Sequence, residues 1–538
     1  MRIYHFAFPI LLFLYIAYLP LDVLEVDAAQ YASIAREMNE RGDFLQVYHR
    51  GEDYLDKPPL LFWLASLSFS MFGVSTWAYK LPAFLALLLA LISTYRFTKI
   101  WYSAQTALLA TLLLGSSQAF FLLVNDVRTD GLLLSALIGS LVQISDYWKT
   151  KKNTSLLLAA FFVGLGMLAK GPIALVFFGF AVGGHVLVRR EWKLLFSVQW
   201  FSFLGIILLV LLPMCIGLYQ QFDLHPEKTA YGLKGPSGLE FYFWTQSFGR
   251  ITGEIYWKND TSFLYFFHTI LWDFQPWILF LIPALFYKIT RFRQSTEWMS
   301  FAVFILGFIS LSLSNYKLPH YIFPLLPFSS ILLADYLVST SWKSKVILRL
   351  QKLHFASLHL FFFLIVCSLF FFFDAPNSWF IWLVGVSWLL LSSIPFLLPS
   401  SWQKTVVAGL IASLFFTISL RYYLYPAWFT YQSTSVLGKE IHAQKWPAAR
   451  VFCYRVHGHS LDFYAQRIIP FVTLSSLKKN TYIYTDVVGK KEIEANWNGN
   501  IEVMQTFSHF PVSKLTVPFL RKDTREQTLE ARYLLHIQ

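Results

Sequence analysis

Asp27, Asp56 and Lys57 stand in two short stretches, "LEVDAAQYASIAREMNERG" and "YLDKPPLLFWL", close behind the apolar run "FAFPILLFLYIAYLPL". A charge beside hydrocarbon is costly, so this placement asks for a use. Further on, Asp126, Arg128 and Asp130 share "NDVRTDG", Lys170 ends "GMLAK" ahead of Gly-Pro, and Lys317 and His320 flank the Leu-Pro of "NYKLPHYIFPLLP". Acids mixed with Lys and Arg suit a phosphate-bearing ligand together with a proton acceptor or a divalent cation. The helix-breaking "KGP" and "LPHYIFPLLP" fit irregular backbone that lines a cavity. Each residue also has a plainer reading. Asp27, with Gln30 three residues on, patterns as a helix N-cap. Lys57 alone would be a lysine snorkelling to the headgroups, and the others would be interfacial anchors.

The elements that must position these residues are membrane helices. The chain of 538 residues is 56% hydrophobic, 19% aromatic and only 14% charged, with a mean hydropathy of +0.50. A soluble domain carries about a quarter charged residues. The excess Phe, Leu and Trp must face lipid, and a span needs ~20 apolar residues. Thirteen spans are expected, centred near residues 12, 88, 112, 137, 160, 180, 208, 276, 307, 329, 364, 388 and 413. The first run has no small-residue cleavage site behind it and reads as a retained span rather than a signal peptide. The three cysteines fit neither a disulfide nor a metal framework.

Charge orients the spans. With the N-terminus in the cytoplasm, the inner loops and Arg2 carry 17 Lys and Arg, while the short outer loops carry Arg128, Lys170 and Lys317 alone. This is the positive-inside asymmetry. The net charge of +13 is therefore an orientation signal beside anionic lipid, and no nucleic-acid partner is implied. Residues 1–423 read as the membrane domain, with outer loops 22–76 and 221–262. Residues 424–538 read as a small outer α/β domain, from the β-branched and aromatic runs "RVFCYRV", "FYAQRIIPFVTL", "NTYIYTDVV" and "IEVMQTFSHF". In the first loop, Tyr31, Ile34, Ala35 and Met38 make one apolar helical stripe ending at Gly42, with Arg36, Glu37, Glu40 and Arg41 elsewhere. That helix should lie in the interface plane. A second should begin with Pro58 and Pro59 in its first turn.

With these residues in view, the chain resembles bacterial C-type membrane glycosyltransferases, which use lipid-linked sugars and are related to protein O-mannosyltransferases and to the aminoarabinose transferase of lipid A. "EVDAAQYASIAREM", "YLDKPPLLFWL", "VRTDGLLL", "LAKGPIAL" and "NYKLPHYIFPLLPFSSILLADYL" carry the match over about residues 5–340. The resemblance implies a polytopic fold of about 13 spans with an outer C-terminal domain. It implies transfer of a sugar from a polyprenyl-phosphate donor to a lipid, glycan or protein acceptor on the periplasmic side of the inner membrane. It makes Asp27, Asp56 and Lys57 the catalytic set, and Arg128, Asp130, Lys170, Lys317, His320 and Tyr321 the substrate set. Lys57 with Arg128 or Lys317 would neutralise the leaving phosphate, and Asp27 would serve a hydroxyl acceptor as base. A divalent cation on Asp27 and Asp56 is a further expectation. The match departs where relatives carry a metal-binding His at the end of the second outer loop. Here His268 comes a turn or two late and reads as a packed core histidine, with Lys258 or Asp260 in the nearer place. Rival readings are a flippase or transporter of a polyprenyl-linked intermediate, and a non-catalytic scaffold. The absence of an internal repeat speaks against the first, and the clustered charges against the second.

Overall fold

The computed structural model describes residues 2–246, 249, 259, 261–372 and 378–538. Among the described residues, eight helices are long and apolar enough to cross a membrane, or up to ten when two bent pairs each count as one span. The pairs are Ala104–Gly115 with Gln118–Asn125, bent by 56°, and Tyr265–Asp273 with Ile278–Thr290, bent by 114°. Four shorter apolar helices are His5–Tyr18, Leu60–Phe72, Ile173–Arg189 and Met299–Ser312. The thirteen expected centres fall on the eight, on the two bent pairs and on three of the short helices. The fourth, Leu60–Phe72, is the helix expected after Lys57, with Pro59 at its N-cap rather than inside its first turn. The protein is a multi-pass membrane protein.

The two bends meet. Gln118 N–H donates to Gln275 O at 3.0 Å, and buried Trp277 Nε1 donates to Ser116 Oγ at 3.2 Å. Backbone groups freed by a broken helix must be satisfied inside the membrane, and here each break helps to satisfy the other. The half-helix Gln118–Asn125 then delivers Asp126–Asp130 to one end of the bundle. Buried Lys80 ties the two segments that lead to the site, since its Nζ donates to Leu21 O at 2.6 Å and to Asn125 Oδ1 at 2.7 Å.

The segment after the first apolar helix forms the helix Asp27–Arg41, ended as expected by Gly42 at φ 68°. The N-cap is Val26, not Asp27, and the Asp27 side chain makes no cap bond. The stripe of Tyr31, Ile34, Ala35 and Met38 is buried, but so are Arg36 and Glu37. The C-terminal domain covers the face that was expected to be wet. Glu37 accepts the backbone N–H of Arg50 at 2.8 Å and of Gly51 at 3.2 Å, at the turn between strands β1 (Tyr48–His49) and β2 (Glu52–Asp53). The β1–β2 hairpin also leans on the helix Gln199–Leu218 and its continuation, where Gln221 Nε2 donates to Val47 O and to Asp53 Oδ1, both at 2.8 Å. A second hairpin, β3 (Thr229–Ala230) and β4 (Leu233–Lys234), lies beside it in the other outer loop.

The C-terminal domain holds a four-stranded sheet of β5 (Val451–Cys453), β6 (Thr481–Asp486), β7 (Ile501–His509) and β8 (Glu530–Ile537), in the order β5-β6-β8-β7. Strands β5 and β6 are parallel and the other pairs antiparallel. The run "FYAQRIIPFVTL" does not form the expected strand. It contributes the end of the helix His459–Tyr464 and a single bridge from Phe471 to Cys453. The apolar stretch Trp402–Phe429 runs past residue 424, and the first helix of the sheet region, Ser433–Ala443, follows it. Arg50 reaches from the first loop to pair with fully buried Asp462 and donates to Ile469 O at 2.8 Å. Burial acts to raise the Asp462 carboxyl, but His457 at 3.0 Å, Arg50 and the Ile469 N–H outweigh it and hold it below its ordinary value. Glu25 caps the helix His459–Tyr464 from outside, accepting the N–H of His459 at 2.7 Å and of Ser460 at 3.0 Å. The loop that carries Asp27, Asp56 and Lys57 is thus held from two sides.

Candidate active site

Asp27 lies in the first turn of its helix, and its carboxylate is bound by the Arg128 guanidinium. Arg128 Nε donates to Asp126 Oδ2 at 2.8 Å, so one cation bridges two acids. Lys57 Nζ lies 2.7 Å from Asp56 Oδ2, and Gln246 of the second outer loop donates to Asp56 Oδ1 at 2.7 Å. Deeper, Lys170 pairs with Asp130 and stands 4.1 Å over the Tyr321 ring. His320 Nε2 is 3.8 Å from the other Asp130 oxygen. Asp130 sits in the first turn of the helix Thr129–Thr150, and Lys170 ends the helix Asn153–Lys170. Each charge therefore faces the helix end whose dipole favours it. His320 and Tyr321 come from the 3-10 helix Pro319–Leu325, which leads directly into the helix Leu326–Ser339, so the expected irregular backbone is here a tighter helical turn.

These groups wall two cavities that meet. The larger, about 1120 Å³ including its open mouth, runs from Asp27, Lys57 and Arg128 past Asp130, Lys170 and His320 to an apolar floor that includes Val176, Phe177 and Leu311. Three cations, Lys57, Arg128 and Lys170, line it against two carboxylates, Asp27 and Asp130. The smaller, about 620 Å³, is a cup of five tyrosines, Tyr31, Tyr54, Tyr231, Tyr316 and Tyr321, with Gln30, Asp56 and the shared wall residues Asp27, Lys57 and Leu318. The sequence reading did not single out Tyr31 as a site residue, nor Tyr54, Tyr231, Tyr316 or Gln246. These residues lie on three separate loops with no common spacing to betray them.

Lys317 departs from expectation. It is not among the residues lining either cavity. Its Nζ donates to Thr261 O at 3.1 Å, and Asn259 grips its backbone, donating to Lys317 O at 2.7 Å and accepting its N–H at 3.1 Å. Tyr316 and Leu318 line the cup, while the residue between them does not. His268 is also misread. It is exposed on the outside of its helix, 3.3 Å from Trp272 Nε1, and is no core histidine. Lys258 and Asp260 lie outside the described residues. Asp27 and Asp56 both face the cup, but Arg128 holds one and Lys57 the other. Among the described residues no group of three His, Cys, Asp or Glu side chains is placed to hold a metal ion. Two carboxylates already held by cations are a poor donor set for a divalent ion, and we assign none.

The family of dolichyl-phosphate-mannose-protein mannosyltransferases matches residues 56–216. The chain is 27% identical over 450 residues to an uncharacterized protein of Aquifex aeolicus (strain VF5), 82% of either chain. It is 26% identical over 340 residues to the undecaprenyl phosphate-alpha-4-amino-4-deoxy-L-arabinose arabinosyl transferase of Yersinia pestis (strain Pestoides F), 61% of this chain and 57% of that enzyme. Its fold matches ArnT from Cupriavidus metallidurans bound to undecaprenyl phosphate, with a TM-score of 0.76 over 98% of this chain and 97% of that one, at 18% identity. Fold and relatives together liken the chain to the class of membrane glycosyltransferases. Within that class the chain is related to ArnT and to the O-mannosyltransferases.

Proposed function

We propose that the protein takes a sugar from a polyprenyl-phosphate donor and passes it to a lipid, glycan or protein acceptor on the periplasmic face of the inner membrane. One observation carries this reading: an apolar cleft among membrane helices ends in three cations against two carboxylates. That arrangement suits a long lipid whose headgroup is a single phosphate. The matched Yersinia enzyme and the lipid bound to Cupriavidus ArnT point to the same donor class. The transporter alternative has no counterpart among these likenesses.

In this reading Lys57, Arg128 and Lys170 surround the phosphate and take up the charge that develops on its oxygens as the sugar leaves. The sugar and its acceptor meet in the tyrosine cup. Without donor, Arg128 is held by Asp27 and Asp126, and Lys57 by Asp56. The phosphate would exchange with those carboxylates, and Asp27 would be released beside the attacking oxygen, ready to accept its proton. Deleting the protein should remove one sugar from an envelope glycan, glycolipid or glycoprotein and make its polyprenyl-phosphate form accumulate, both read by mass spectrometry. An unchanged envelope with no accumulated donor would sink the proposal. The orientation rests on the 17 inner against three outer Lys and Arg. Alkaline phosphatase fused after residue 430 should be active, and an inactive fusion would place the site on the wrong face.

A further inference from the structure

Tyr231 and Gly232 are the two central residues of the β3–β4 hairpin, and both have positive φ, 53° and 76°. Such a turn ordinarily takes Asn, Asp or Gly first. A bulky aromatic held in the left-handed region is strained, and strain of this kind persists where the surroundings over-determine it, often at a functional site. The surroundings here are specific. The Tyr231 phenol lies against the backbone of Leu55 and Asp56. The ring stacks on Phe241, with centroids 6.4 Å apart and planes 24° apart. Beneath the turn, Ala230 and Phe241 pack with Leu55 and Phe222. Tyr231 is thereby fixed against the residues immediately before Lys57, yet the residue remains 39% exposed and lines the cup beside Asp56.

We propose that Tyr231 is the wall against which the transferred sugar stacks, and that it helps to set which sugar the protein accepts. The proposal rests on the reading of the donor as a polyprenyl-phosphate sugar. A sugar ring presents C–H faces and a rim of hydroxyls. The flat ring of Tyr231 offers the first a surface of low conformational entropy, while the carboxylates of Asp56 and Asp27 accept from the second. The strained turn has a ready explanation in this role: Asn would relax the backbone but would remove the surface.

The test uses the full chain in lipid nanodiscs and three labelled probes: undecaprenyl phosphate, and the same lipid phosphate carrying aminoarabinose or mannose. Wild type should bind one sugar-bearing lipid more tightly than the bare one. Tyr231→Asn should bind the bare lipid as wild type does, and should lose about fivefold in affinity for the preferred sugar-bearing lipid. Tyr231→Phe should keep the sugar preference, and Tyr231→Trp should shift the ratio between the two sugars. Equal loss on bare and sugar-bearing lipid, or no loss on either, overturns the proposal, as does a wild type that binds all three lipids alike. If Tyr231→Asn does not fold, identical sugar ratios in the Phe, Trp and wild-type proteins overturn it. A wild type that fails to bind even the bare lipid phosphate defeats the donor reading itself and takes the sugar wall with it.

Discussion

Replacing Lys57 by Gln is expected to slow sugar transfer about 30- to 1000-fold in a protein that still folds and inserts. The range is the loss of about 2–4 kcal/mol of transition-state stabilisation when a charge-assisted bond to phosphate disappears from a partly dry pocket. Lys57 stands in the wall shared by both cavities, at the place where a bond between phosphate and sugar would lie. A snorkelling lysine would need only a long polar tip, and Gln would then suffice. The Gln variant also removes the Lys57 ammonium from beside Asp56. That carboxylate would then repel the incoming phosphate, so donor binding should weaken together with the rate. Lys57→Arg keeps the charge but changes reach and geometry, and should fall between the two. With a defined polyprenyl-phosphate sugar, a Gln variant within about twofold of wild type would remove Lys57 from the site.

The sequence was most legible where chemistry and hydropathy disagree. Lys57, Arg128, Asp130, Lys170 and His320 stand out because charge is costly at membrane depth, and the fold gathers all five onto one cleft. Helix spans were legible for the same reason, and the Gly42 stop because a left-handed residue ends a helix economically. What stayed hidden depends on contacts distant in sequence. Glu25 has its partners at His459 and Ser460, more than 430 residues away, and nothing near it in sequence announces them. Arg36 and Glu37 looked solvated because nothing local says that the C-terminal domain covers them. The cup is invisible in sequence because tyrosines from separate loops carry no periodicity. Lys317 shares its motif with Tyr321, yet its side chain turns to Thr261, and motif membership alone cannot tell which residues face the cavity. Asp27 illustrates a smaller error. The pattern of Asp27 and Gln30 matches a capping box, but the helix starts one residue earlier, and that shift sends the carboxylate to Arg128.

That shift gives the second large effect its sign. Asp27→Asn is expected to lower transfer to a hydroxyl acceptor about 100- to 10,000-fold, the usual contribution of a general base. The cap reading predicts no such loss, since Asn caps as well as Asp and Asp27 makes no cap bond in any case. Donor binding should move the other way from Lys57→Gln. Asp27 competes with phosphate for the Arg128 guanidinium. Removing its charge leaves Arg128 anchored by Asp126 alone among the carboxylates paired with it, so undecaprenyl phosphate should bind as tightly as to wild type or more tightly. The two variants are thus separable by one pair of measurements: both lose turnover, but only Lys57→Gln loses affinity for the bare lipid phosphate. An Asp27→Asn protein with weaker lipid binding would mean that Asp27 organises the phosphate site rather than serving as base. An Asp27→Asn protein with near-normal turnover would point to an acceptor that is already an anion, because a phosphate oxygen attacks without giving up a proton.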